Sequence, residues 1–122
     1  MVRRMAELTV YEKPSCTTCK RLATLLRERG IEYDAVDYHV AGLTRDEVRE
    51  LVRKARIPAR DLLRARDPLF KELGLGDREV SNAEAIALMA EHPQLLQRPV
   101  VVRGDRAVLA RPVERALELF DR

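Results

Sequence analysis

The two cysteines of this 122-residue chain, Cys16 and Cys19, stand where one hydrophobic pattern gives way to another. Before them, Glu7-Leu-Thr-Val-Tyr-Glu12 alternates apolar and polar residues as a short strand does, and Pro14-Ser15 turns the chain. After them, Leu22, Ala23, Leu25 and Leu26 recur at helical spacing from Thr17 to about Arg29, and Gly30 supplies the stop. Ile31 to about Tyr38 then alternates again. Two strands joined by a crossover helix make a right-handed βαβ unit with parallel strands. The opening therefore commits the chain to an α/β sheet with its cysteine pair at the start of the first helix.

The middle of the chain reads as helix throughout. Thr44 with Glu47 three residues later forms a capping box, followed by Val48, Leu51, Val52 and Ala55 on one face as far as about Arg56. Ala59 to Ala65, Pro68 to Leu73 and Asn82 to Glu91 are three further helical patterns, separated by Pro, Gly and the Ser81-Asn82 cap. The chain then returns to strands: Arg98-Pro99-Val-Val-Val-Arg103, a tight turn at Gly104-Asp105, and Arg106 to Ala110 as partner. Val113 to Phe120 reads as a closing helix. The order βαβ, helical insertion, ββα predicts a thioredoxin-like fold with a four-stranded mixed sheet, in one domain over residues 1–122 with the insertion at about 44–93. A flavodoxin-like or other small α/β domain would share the first half; the Cys-x-x-Cys decides for the thioredoxin-like one.

Composition removes several function classes. No apolar run approaches the roughly 20 residues of a membrane span. The N-terminus has two arginines but no long apolar stretch or small-residue cleavage site, so it does not read as a secretory signal, and the cytoplasm is the expected compartment. The net charge is +3 and is spread along the chain, and aromatic residues are 4% with no Trp, which argues against direct nucleic-acid binding. Nineteen of the 23 cations are arginines, so an anion site has to be argued from particular positions and not from abundance.

The cysteine pair calls for chemistry. A bridge over two intervening residues closes a tiny loop and stabilises little, so it is no structural scaffold. A tetrahedral zinc site would need two more ligands, and the chain offers only His39 and His92 at unrelated spacings, residues that read as loop and helix-end positions. Buried inert thiols remain an alternative, because free Cys often serves as a small core hydrophobe. Against it stands position. Cys16 at the first helical turn is favoured as thiolate by unpaired backbone N–H groups and the helix dipole, and Cys19 lies one turn further on, able to attack an adduct on Cys16. Lys13 and Lys20 flank the pair and would add positive potential, which Glu12 would oppose if it points the same way.

Pro14-Ser-Cys16, Asp61-Leu-Leu-Arg64, Glu91-His-Pro93, Leu96-Gln-Arg98-Pro99-Val-Val-Val102 and Leu109-Ala-Arg111-Pro112 together resemble the successive signatures of the glutaredoxin-coupled arsenate reductase family (ArsC), which also includes the Spx transcriptional regulators. The resemblance runs from about Leu8 to Phe120. It implies a catalytic Cys16 and three anion-binding arginines, Arg64, Arg98 and Arg111, acting on arsenate or a similar oxyanion. It implies no bound cofactor, and an external thiol reductant: glutaredoxin with glutathione, or thioredoxin. Arg98 also has a local argument, because in thioredoxin-like folds a cis proline at the position of Pro99 faces the Cys-x-x-Cys. The chain departs from the family pattern at two points. The reductases usually have no cysteine at the position of Cys19 and commonly carry His at that of Glu12; Spx-like members have the Cys-x-x-Cys but generally lack the third arginine, here Arg111. Two readings follow. One is an arsenate reductase with Cys19 as possible resolving thiol. The other is a redox-sensing regulator that binds RNA polymerase through a Cys16–Cys19 disulfide switch.

Overall fold

The computed structural model describes residues 7–120; the first six residues, on which the reading of the N-terminus rests, lie outside them. The strands are β1 (Leu8–Glu12), β2 (Tyr33–Asp37), β3 (Val100–Arg103) and β4 (Arg106–Leu109), in the order β2-β1-β3-β4. β1 runs parallel to β2 and antiparallel to β3, which pairs antiparallel with β4. This is the four-stranded mixed sheet of a thioredoxin-like fold. The described residues divide into two compact units, one of residues 7–38 with 98–120 and one of residues 39–97.

The first unit is built on matched rows. Strand period two places Leu8 and Val10 on one face of β1, and their neighbours Val101 of β3 and Val108 of β4 share that face. Helix α1 (Thr17–Glu28) turns Cys19, Leu22 and Leu26 inward, and Leu22 and Leu26 join the same core. The closing segment Val113–Phe120 is helical, as expected, but it is a 3₁₀-helix. Its apolar residues explain the choice: Val113, Ala116 and Leu119, all packed in this core, recur every third residue, the period of a 3₁₀ turn rather than of an α-helix. Arg103 fastens its far end, donating to the Leu119 carbonyl at 2.8 Å and to Glu7 at 2.8 Å while its guanidinium stacks over Phe120.

The second unit is helical apart from one bridge. It contains α3 (Arg45–Ala55), α4 (Pro68–Glu72) and α5 (Asn82–Glu91), with 3₁₀ turns at Ala59–Leu62 and Pro93–Leu95. A short α2 (Tyr38–Ala41), which no periodicity announced, directly follows β2. The capping box is formed: the Glu47 amide donates to the Thr44 hydroxyl and the Thr44 amide to the Glu47 carboxylate. Ser81 caps α5 with its hydroxyl, which accepts from the Glu84 amide. Where helix was expected as far as Ala65, the 3₁₀ turn stops at Leu62, and Leu63 makes an antiparallel bridge with Leu96. Both leucines are buried, and an extended backbone lets the two segments satisfy each other's amides, Arg64 donating to Leu95 at 2.7 Å and Gln97 to Leu62 at 2.8 Å.

Two substitutions separate packing from local capping. Leu22→Ala, which empties a fully buried position of the first unit, is expected to cost about 2–5 kcal/mol in urea unfolding. Thr44→Ala, which removes one half of an exposed capping box, is expected to cost about 1 kcal/mol.

Candidate functional site

Cys16 is the N-cap of α1, with extended backbone (φ −76°, ψ 126°), and its own amide closes the preceding turn on the Lys13 carbonyl at 2.9 Å. The Pro14-Ser15 turn thus delivers the sulfur to the point where the first helical amides have no carbonyl partner. Burial by itself pushes the Cys16 thiol up. The amide and the thiol of Cys19, the Arg98 guanidinium and the Thr18 amide outweigh it, and the result is lowered from 9.0 to about 7. A thiol lowered in this way carries far more thiolate near neutral pH than an ordinary cysteine does.

Cys19 has the opposite environment. It is 2% exposed, and burial pushes its thiol up to about 12, with the neighbouring Cys16 and Glu12 charges adding to the shift against the Lys13 amide. Both cysteines are free thiols in this structure. One member of the pair is thus favoured as thiolate and the other keeps its proton. That asymmetry comes from depth in the helix: three residues separate a sulfur at the open helix start from one beneath the first turn.

Arg98 and Pro99 follow from the sheet. The Arg98-Pro99 peptide is cis and leads directly into β3, the strand beside β1, which brings Arg98 against the end of the strand that carries the cysteine loop. Arg98 is 7% exposed, its guanidinium acts on the Cys16 sulfur, and its Nε is buried with no hydrogen-bond partner among the described residues. A buried cation is costly unless an anion or acceptor meets it. Arg111 follows β4, precedes a second cis proline, Pro112, and donates from Nε to the Arg98 carbonyl at 2.8 Å. The Ala110 amide donates to the Pro99 carbonyl at 2.9 Å, so the two arginine segments are tied together through their backbones as well.

The structure thus brings Cys16, Cys19, Arg98, Pro99 and Arg111 together in the first unit. Arg64 belongs to the second, half-buried, with its amide on the Leu95 carbonyl and its carbonyl accepting from Asp67. Lys20 contributes through its backbone, donating to the Cys16 carbonyl at 3.0 Å, while its side chain is exposed. The groups that lower the Cys16 thiol are Cys19, Arg98 and Thr18.

One feature escaped the sequence, and for another the sequence left open which way it points. An open groove of about 660 Å³ runs along α1 beside the 3₁₀-helix, lined by Thr18, Arg21, Glu28, Arg111 and Glu114 among others, and it gives Arg111 a second cation, Arg21, as neighbour. The helical positions 18 and 21 mark one face of α1, but nothing in the sequence says that Arg111 closes it. The other feature is Glu12, whose charge reaches Cys19. Among the described residues, no cluster of three or more His, Cys, Asp and Glu side chains could hold a metal ion, and no helix is long and apolar enough to cross a membrane.

Comparison with known proteins gives consistent findings. The model of the ArsC family matches residues 11–119. An arsenate reductase of Neisseria meningitidis serogroup A is 33% identical over 111 residues, which are 90% of this chain and 95% of the relative. An arsenate reductase of Escherichia coli strain K12 is 34% identical over 116 residues, 95% of this chain and 82% of the relative. Among solved structures, an arsenate reductase from Vibrio cholerae superposes with a TM-score of 0.87 at 32% identity, covering 94% of this chain and 98% of its own.

The thiol environments predict a pH profile. Alkylation of the reduced protein by iodoacetamide should rise with a midpoint of about 7, and Arg98→Gln should move that midpoint upward toward 9.0 because a group that favours the thiolate is gone. Stability follows the same sign. A lowered folded-state pKa stabilises the fold above the unfolded value, and that increment fades as pH falls through about 7, so wild type should gain on Cys16→Ser between pH 7 and 9 in thermal unfolding.

Proposed function

The chain belongs to the ArsC family, and from that membership we propose that it is an oxidoreductase that reduces arsenate to arsenite through a Cys16 thiol-arsenate adduct, with Cys19 as resolving thiol. The observation that carries this reading is Arg98, a buried cation at the Cys16 sulfur whose Nε lacks a partner among the described residues. A thiolate and an oxyanion repel each other; a guanidinium that already stabilises the sulfur and has a donor to spare can bind an oxygen of the anion and offset that repulsion. The helix-start amides of Thr18 and Cys19 supply further positive potential to the same place.

In the first step the Cys16 thiolate attacks arsenic, the S–As bond forms and an arsenate oxygen leaves as water. In the second, the Cys19 sulfur attacks Cys16; the S–S bond forms as the S–As bond breaks, and arsenic takes the electron pair and departs as As(III). The two thiols are oxidised as arsenic is reduced by two electrons. An external thiol, from glutaredoxin with glutathione or from thioredoxin, then reduces the disulfide. Arg98 and Arg111 bind the oxyanion in this scheme, Pro99 holding Arg98 in place. For Arg64 the same role rests on the family resemblance, and a kinetic test decides it. Residues 1–122 act as a single catalytic domain with a helical insertion at about 44–93, in the cytoplasm. The alternative, an RNA polymerase-binding redox switch, needs the cysteine pair but not the Arg98–Arg111 arrangement, and the relatives named above lend it no support.

Steady-state turnover tests the proposal. Reduced protein with arsenate and either the glutaredoxin–glutathione or the thioredoxin system should form arsenite, and Cys16→Ser should abolish it. Arg111→Ala and Arg64→Ala should each lower kcat/KM by about 10²-fold, the usual loss when one donor to a developing anion is removed. Absence of turnover with both donors would reject the enzyme reading.

A further inference from the structure

A resolving thiol titrating at about 12 carries its proton at any physiological pH and must lose it in order to attack. The structure places a group for that task. Along β1, Leu8, Val10 and Glu12 fall on one face of the sheet, and along α1 the inward row is Cys19, Leu22 and Leu26. Leu8 and Val10 share one core with Leu22 and Leu26. Helix α1 returns along β1 through this shared core, which directs the row Leu8, Val10, Glu12 toward the row that begins at Cys19, and the Glu12 charge acts on the Cys19 thiol. Glu12 is only partly exposed there, although it is ionisable and has no ion pair with any Lys or Arg in the described residues. From the residues alone it looked like a charge opposing the thiolate. In the structure its charge acts on the Cys19 thiol, raising it.

We propose that Glu12 is the proton acceptor for Cys19 in the resolving step, taking the thiol proton as the Cys19 sulfur bonds to Cys16. The proposal rests on the reading of Cys19 as resolving thiol. Its balance is simple: the S–H bond of Cys19 breaks, the proton goes to a Glu12 carboxylate oxygen, and the S–H electron pair becomes the S–S bond while the group held on Cys16 leaves with its own bonding pair. The acid so formed returns the proton to solvent once the disulfide is reduced.

The surroundings of Glu12 suit a proton carrier. Burial, and then the charge of Asp37, raise its carboxyl above the usual 4.5. Asp37 is its register partner on β2, so the two carboxyls point to the same side of the sheet. Tyr33, two places back along that face of β2, is in turn held up by burial and by Glu12, with Arg27 of α1 acting against the shift. β3 and β4 meet this face with Val101 and Val108, and Arg103 sits at its far end on Glu7. An acid weakened by burial and a neighbouring carboxylate is a better base than a free one, and the same shift makes its neutral form accessible for the return of the proton.

A disulfide probe separates the two steps without arsenate. Reduced protein with 5,5′-dithiobis(2-nitrobenzoate) releases one thionitrobenzoate as Cys16 is capped and a second as Cys19 displaces the cap. Wild type should show both phases, and Cys19→Ser only the first. In Glu12→Gln the first phase should keep its wild-type rate, which shows the fold and Cys16 intact. The second phase should slow at least tenfold at pH 7.5 and keep rising with pH toward the titration of Cys19 itself. Glu12→Asp should recover part of the loss, and Asp37→Asn should move the wild-type rise to lower pH. A second phase in Glu12→Gln with wild-type rate and pH profile would overturn the role of Glu12. A wild type indistinguishable from Cys19→Ser would overturn the resolving role of Cys19 itself, and with it this proposal.

Discussion

The chemistry depends on a split between two sulfurs three residues apart. Cys16 is brought down to about 7 and Cys19 driven up to about 12, although they share one helical turn. Burial acts on both in the same direction. What separates them is that Cys16, at the open end of α1, collects the Thr18 and Cys19 amides, the Cys19 thiol and Arg98, whereas Cys19 is enclosed beneath the turn with two negative neighbours. Each sulfur reinforces the other's state, since the proton kept on Cys19 stabilises the charge on Cys16, and that charge holds the proton in place.

The sheet order makes the split possible. Placing β1 between β2 and β3 puts three different chemistries around one strand end: the cysteine loop on β1 itself, Asp37 on β2, and the Arg98-Pro99 entry to β3. Apolar rows lock this register. A one-residue slip of β1 would turn Leu8, Val10 and Glu12 to the opposite face together, removing the core and the carboxylate from α1 at one stroke. Packing and function in the first unit therefore draw on the same alternation of residues.

Much of this was legible in the chain. The alternation over Glu7–Glu12, the helical spacing behind Cys19 and the Gly104-Asp105 turn were enough for the sheet, and the Thr44–Glu47 and Ser81 caps marked two helix starts that the structure places at Arg45 and Asn82. Tertiary context decided what local pattern could not. Leu63 extends because Leu96 offers a bridge, and the 3₁₀ form of Val113–Phe120 reflects a spacing of three that is visible in the sequence but predicts only a closing helix, not its type. The site divides in the same way. Cys16 and Cys19 announce themselves by spacing, whereas nothing local distinguishes Arg64 and Arg111 among 19 arginines, and Arg98 is marked only by its place before Pro99; as a set the three rest on family resemblance. The pairing of Arg111 Nε with the Arg98 carbonyl, across 13 residues, is invisible to any periodicity. Glu12 stood in plain view beside the loop, but the side of the sheet it faces, and hence which sulfur it acts on, is a property of the rows and not of the neighbourhood in sequence.

The central claim is that this chain carries both electrons for one reduction in its own two thiols. Fully reduced protein in excess over arsenate, freed of external thiol, should produce one arsenite for each pair of thiols lost, with a Cys16–Cys19 disulfide seen by mass spectrometry of the peptide digest. Arsenate left unreduced, with both thiols still titrating as free, would contradict it.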